Sequence, residues 1–196
     1  MSSEARPRRA DAERNRARVL ASAEAVLARD GLSASMRAIA AHAGVGLGTL
    51  YRNFPTQEAL YQAVIVQRTQ ALIAEAADLS RADDPGQAFF GYFTRVVQHA
   101  VRTKAMADLL ARAGIDPKSG MADAGRDMRD AIQALLARAQ RAGAVRPDLR
   151  MPELMAILTG ACMAAEHGQW DTALRTKALA IMFDGMRPRR PEPDQP

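Results

Sequence analysis

Between residues 35 and 54 the chain reads S-M-R-A-I-A-A-H-A-G-V-G-L-G-T-L-Y-R-N-F, two short apolar-periodic segments parted by a glycine-rich turn. No other stretch restricts the fold as tightly. Ser35 can accept from the first unsatisfied N–H groups of a helix. Met36, Ile39, Ala40 and Ala43 then recur on one face at helical spacing. Gly44 follows at once, where a helix end commonly requires a residue that tolerates positive φ. Val45 is a lone apolar plug in the turn. The segment 47–54 is too short to stand as an isolated helix, so it must lean on neighbours through Leu50 and Phe54, four residues apart. Its other side carries a hydroxyl, a phenol, a guanidinium and an amide, from Thr49, Tyr51, Arg52 and Asn53. That set suits a polar, anionic surface. A helical hairpin with an ordinary solvated face would look the same in isolation, and the rest of the chain must separate the two.

Charge placement favours the first. The chain carries 27 Lys/Arg and 22 Asp/Glu, a net charge of +5. Residues 1–55 hold nine cationic against five acidic side chains, a net of +4, and the remainder eighteen against seventeen, a net of +1. A basic segment around a short outward helix is the electrostatic footprint of a nucleic-acid binder. Residues 1–10, with Arg6, Arg8 and Arg9, are expected as a flexible basic arm, either a solubilising tail or a contact to phosphate or the minor groove.

Every periodic segment is helical and no alternating strand pattern occurs, so the fold class is all-α, with about nine helices. A first helix is expected over 11–30, ended by Gly31, and the helix-turn-helix unit spans 11–55. Its small core comprises Val19, Leu27, Leu32, Met36, Ile39, Val45, Leu50 and Phe54; fully burying each such side chain is worth about 1.5–3 kcal/mol, enough to hold short helices rigid. Phe54-Pro55 breaks the chain, and Thr56 can cap a connecting helix over 56–80. Asp83-Asp84-Pro85-Gly86 is a stop-and-restart signal. Helices then follow over about 85–103, 105–113, 121–142, 152–168 and 171–186, making 56–186 a second domain and leaving 187–196 as a disordered Pro/Arg tail.

Two features of the second domain point to binding. Its last two helices are apolar on more than one side. Leu154, Leu158, Ala161 and Ala165 form one stripe, Met155, Cys162, Met163 and Glu166 another, and Leu174, Ala178, Ile181 and Met182 mark the final helix. Such breadth suggests burial against a partner, and helix-turn-helix proteins usually read two half-sites as two-fold dimers. Leu154, Leu158, Ala161, Ala165, Leu174, Ala178, Ile181 and Met182 are therefore the expected dimer interface. Aromatic, methionine and isolated polar residues (Phe89, Phe93, Val96, His99, Met106, Met155, Cys162, Met163, Glu166 and Trp170) are the expected lining of a small-molecule pocket. His99 and His167 as satisfied or surface histidines and Trp170 as a packing anchor remain open alternatives.

Several function classes are excluded or disfavoured. One cysteine, Cys162, cannot form an internal disulfide, and with three histidines off metal-ligand spacing it gives no structural zinc site. Gly44, Gly46 and Gly48 lack both the P-loop lysine and a preceding strand, and no His-Glu-x-x-His motif occurs, so no enzyme and no cofactor is expected. The longest apolar stretch, 154–165, is shorter than the roughly 20 residues of a membrane span. No secretory signal is visible, and a cytoplasmic location is expected.

Ile39-Ala40, Ala43-Gly44-Val45, Gly48-Thr49-Leu50-Tyr51, Phe54 and Glu58-Ala59-Leu60 together resemble, in order and spacing, the DNA-binding domain of the TetR (tetracycline-repressor-like) family over about residues 14–65. The remainder is similar in length and helix pattern, with a ligand domain resembling the SbtR-like subgroup. The resemblance implies a homodimer formed by a four-helix bundle of the last two helices, a palindromic double-stranded DNA operator, and a small-molecule inducer that releases it. By matching position it implies that Arg37, Leu47, Gly48, Tyr51 and Arg52 face base edges, while Thr49, Asn53 and the Tyr51 hydroxyl hold phosphates. Gly46, Leu47 and Gln57 depart from the family's usual serine and two lysines, removing two cationic contacts. The competing expectation is a helical small-molecule-binding or scaffold protein whose helix-turn-helix no longer binds DNA.

Overall fold

The computed structural model describes residues 5–117, 119, 121–168 and 170–188, with the side chains of 5–13, Leu32 and Ala122 left aside. Among the described residues there are eight α-helices and no strand: α1 (Ala5–Asp30), α2 (Met36–Ala43), α3 (Leu47–Asn53), α4 (Gln57–Leu79), α5 (Pro85–Arg112), α6 (Ala122–Arg141), α7 (Met151–His167) and α8 (Thr172–Met186), with a 3-10 turn at Gly31–Ser33. The all-α expectation holds, with one helix fewer. The two segments expected over 85–103 and 105–113 are a single helix, α5. Thr103, at the end of the first expected segment, lies inside α5 and turns its hydroxyl back to the carbonyls of His99 (2.9 Å) and Ala100 (3.2 Å), a bond that a helix interior accommodates.

Helix α1 begins at Ala5 rather than at Asp11, so residues 5–10 are helical where an arm was expected; the side chains of Arg6, Arg8 and Arg9 lie outside the described residues. Of the expected tail, Arg187 and Pro188 are described, and residues 189–196 lie outside.

Two compact units divide the chain. The first joins Met1–Arg68 to Ala105–Ser119, and the second joins Thr69–Lys104 to Gly120–Pro196. These compact units divide inside α4 and inside α5. In the first unit α1 packs on α2 and α2 on α3. Val19, Ile39, Leu50, Leu60, Tyr61 and Val64 are wholly buried there, with Phe54 at 1%. Six of the eight expected core residues are buried; Val45 is half-buried and the Leu32 side chain is not described. An ion pair from Arg68 to Glu24 (3.3 Å) ties α4 to α1.

The second unit is built on one apolar cluster drawing Leu72 and Ala76 from α4, Phe89, Tyr92, Phe93 and Val97 from α5, Ile132, Leu135 and Leu136 from α6, Leu154, Leu158, Ala161 and Ala165 from α7, and Leu179 and Met186 from α8. Arg138 of α6 reaches the end of α4, donating to the carbonyls of Leu79 (3.3 Å) and Ala82. Leu79 ends α4, where carbonyls lack intrahelical donors, and its carbonyl also accepts from the Ala82 N–H at 3.1 Å.

Candidate nucleic-acid interface

Helices α2 and α3 are set by local chemistry. The Ser35 hydroxyl accepts from the Ala38 N–H at 3.1 Å and starts α2. Gly44 ends it at φ 64, ψ 34, with its N–H donating to Ala41 (3.2 Å) and the Val45 N–H to Ala40 (3.0 Å). This is a Schellman closure, whose left-handed residue a side chain would strain. Gly46 opens α3 without a side-chain cap, its carbonyl accepting from Thr49 (2.9 Å) and Leu50 (3.1 Å). Leu50 and Phe54 then pin the short helix to the core.

All seven residues assigned by resemblance to DNA lie on what remains. Arg37, Gly48, Tyr51 and Arg52 are exposed, Tyr51 at 45%, and Leu47, Thr49 and Asn53 are half-buried. The structure adds internal ties among them. Arg52 Nη2 donates to Thr49 Oγ1 at 2.9 Å, and Asn53 Nδ2 donates to the Thr49 carbonyl at 2.9 Å. The guanidinium is thereby held along the helix instead of waving in solvent. Asn53, expected on phosphate, spends one amide hydrogen on its own helix.

One contributor to this geometry was not singled out from sequence. The Arg16 guanidinium of α1 stacks 4.5 Å from the centre of the Phe54 ring and donates a long hydrogen bond, 3.5 Å, to the Asn53 carbonyl. It closes the C-terminal end of α3, where a cation is favourably placed. The contact joins residues 37 positions apart, and no spacing rule announces it.

In the second unit the expected pocket residues divide. Phe89 and Phe93 are core side chains, each 3% exposed. Val96, Met155, Cys162 and Trp170 are partly buried against that core. His99 is half-buried and bonds Thr69 Oγ1 at 3.2 Å; Glu166 is half-buried beside Cys162, whose thiol is pushed up to about 11 by burial first and then by Glu166. Met163 does not join them: it is 56% exposed on the outside of α7. Met106 falls in the first unit. Gly168 closes α7 against Trp170, since an added Cβ would sit 2.7 Å from the indole nitrogen. None of the ten lines the open cleft of about 770 Å³ bounded by Phe90, Gly91, Thr94, Ala144, Phe183 and Arg187.

The expected dimer stripe needs a correction on α7. Leu154, Leu158, Ala161 and Ala165 are 0–4% exposed within the unit's own core, so they are not a surface. The outward side of α7 is Ala156, Thr159, Gly160 and Met163. On α8, Leu174 and Ile181 are 50% and 65% exposed, with Ala178 between them half-buried and Met182 packed against the core.

Among the described residues no group of three or more His, Cys, Asp or Glu side chains is placed to hold a metal ion, and no helix is long and apolar enough to cross a membrane.

A capped helix, a left-handed glycine turn and a pinned, outward-polar second helix define a helix-turn-helix protein, here with a separate helical unit attached. Residues 19–64 match the model of bacterial regulatory proteins of the tetR family, and residues 84–188 match the C-terminal domain of SbtR-like transcriptional regulators. The chain belongs to the TetR family of transcriptional regulators. It is similar to a TetR regulatory protein from Mycobacterium vanbaalenii, 36% identical over 91% of this chain and 98% of that one, with a TM-score of 0.72. It is also similar to a TetR regulator from Streptomyces coelicolor, 31% identical over 89% and 99%, with a TM-score of 0.70. The ketosteroid transcriptional regulator KstR2 of Mycobacterium tuberculosis shares the fold at 22% identity, covering 89% and 95%, with a TM-score of 0.56. Among curated proteins, none matches the chain.

Proposed function

We propose that this regulator is a homodimeric repressor that reads a palindromic operator through α3 and lets go when a small molecule occupies the second unit. The observation that carries the DNA half is the division of α3: Leu50 and Phe54 buried, Tyr51 and Arg52 outward. Arg37, Leu47, Gly48, Tyr51 and Arg52 then face base edges, and Thr49, Asn53 and the Tyr51 hydroxyl face phosphate. The Thr49–Arg52 bond supports guanine recognition, because a guanidinium already held in place loses less freedom on forming a bidentate pair. Two reading heads in successive major grooves stand about 34–36 Å apart. A DNA reader of this family acts in the cytoplasm, where the bacterial chromosome lies.

Dimerisation runs through the outer sides of α7 and α8, with Met163, Leu174, Ala178 and Ile181 at its centre. The inducer enters the second unit, where His99, Met155, Cys162 and Glu166 offer polar and polarisable groups beside an aromatic core. Binding shifts the balance between DNA-competent and released states only by the difference in its affinity for the two.

Arg52→Ala tests the assignment in a binding titration on DNA flanking the protein's own gene. Discrimination against unrelated DNA should drop by about 5- to 150-fold, the worth of one bidentate base contact. Thr49→Ala should weaken both DNAs and also loosen Arg52. Loss of neither property in either variant would mean that α3 does not read DNA, as would affinity that is insensitive to salt.

A further inference from the structure

The first turn of α4 makes a contact that phosphate or base binding does not explain. Gln57 Nε2 lies 3.1 Å from the carbonyl oxygen of Ala34, and the same nitrogen bonds the Tyr61 hydroxyl. A carbonyl can only accept, so the amide nitrogen must be the atom facing it, and both of its hydrogens are then engaged. Ala34 is 2% exposed and immediately precedes the Ser35 cap of α2. Its own N–H is spent on Gly31. Its carbonyl is outside the α2 ladder, which begins with Ser35 accepting from Ile39, and a buried carbonyl in that position requires a partner from elsewhere. Tyr61, on the far side of the amide, is wholly buried. The tie therefore runs from the core of α4, through one side chain, to the residue that launches the helix-turn-helix.

We propose that Gln57 is a positioning residue for operator reading: its amide locks the start of α2 to the first turn of α4 and so fixes the angle at which α2 and α3 meet DNA. This rests on the DNA-reading function proposed above. The side chain stands where the family pattern carries a lysine, but it is neutral and turned inward. It acts on DNA through α2, without touching phosphate. A phosphate-binding residue supports all DNA alike and steepens salt dependence, whereas a residue that sets an angle matters only for the sequence whose groove pattern the angle fits.

The test uses the full chain and two labelled duplexes of equal length, one from the DNA flanking its own gene and one unrelated, titrated across a series of KCl concentrations. Gln57→Met keeps the length and removes the donor. It should weaken the flanking duplex about tenfold, the size of one or two neutral hydrogen bonds. The unrelated duplex and the slope against log salt should stay unchanged. Tyr61→Phe, which leaves the α4 core filled, should give a smaller loss of the same kind and should add nothing to Gln57→Met. Thermal unfolding and circular dichroism establish that each variant folds, and the tyrosine variant carries the test if the first does not. Equal loss on both duplexes, a slope shallower by about 0.9 as for one phosphate contact, or flanking-duplex affinity within twofold of wild type overturns the proposal. Wild-type protein that fails to distinguish the duplexes overturns the DNA reading itself, and this inference with it.

Discussion

Single side chains in this protein do more than their types suggest. Cys162 is an example: a free thiol in intermediate exposure would ordinarily be reactive, yet burial and Glu166 hold its pKa at about 11 against an ordinary 9.0. Near pH 8 a thiol so raised has a thiolate fraction on the order of 100-fold below that of an unhindered one. Alkylation by iodoacetamide should be slow by about that factor in the folded protein and fast after urea unfolding, as intact-mass measurement would show. The sign for stability follows. Between about pH 9 and 11 the unfolded chain releases this proton first, so stability falls as pH rises through that window. Thr49 and Arg52 make a second case. Sequence assigns them separate tasks, but their 2.9 Å bond couples them, so their substitutions should not add. A double-mutant cycle on flanking-DNA affinity should show the coupling. At this scale the sequence was legible where partners are close along the chain, as with Ser35 and Gly44. It was silent for Arg16, Gln57 and Arg138, whose partners lie 37, 23 and 59 residues away.

Helix ends decide much of the element-level behaviour. Arg138 serves as a remote cap for α4, bonded to Leu79 and Ala82. Arg138→Ala removes both contacts, leaving Leu79 with its bond from the Ala82 N–H, and should cost about 1–3 kcal/mol, read as a lower urea midpoint with an unchanged slope. Gly44→Ala should destabilise by about 1–2 kcal/mol, because the residue must hold a left-handed conformation. The stripes of α7 show why element existence is easier to infer than orientation. Leu154, Leu158, Ala161 and Ala165 face inward, while Ala156, Gly160 and Met163 face out. Both sides are apolar, so periodicity locates the helix but does not say which side meets the core. Likewise the segments expected over 85–103 and 105–113 are one helix, within which the Thr103 hydroxyl bonds back to His99.

For the whole molecule, α8 turns two large apolar side chains outward, Leu174 and Ile181, at 50% and 65% exposure. Ile181→Asp, at a side chain 65% exposed, should convert the proposed dimer to monomer in light scattering and abolish cooperative occupation of two half-sites. A variant that stays dimeric with intact DNA binding would place the interface elsewhere. The two-part design was visible from the charge split between residues 1–55 and the rest. The two compact units divide within the continuous helices α4 and α5, where no turn signal marks a division.

The packing of Trp170 against Gly168 and the second unit's core has a practical corollary. It is the chain's one tryptophan, so excitation near the red edge of indole absorption interrogates the second unit alone, with the tyrosines of the first unit dark. The protein thus carries its own optical reporter: a library of metabolites can be screened against unlabelled protein by emission wavelength and quenching. A compound that moves the indole signal changes the surroundings of Trp170, and DNA added alone sets the baseline against which such a response is judged.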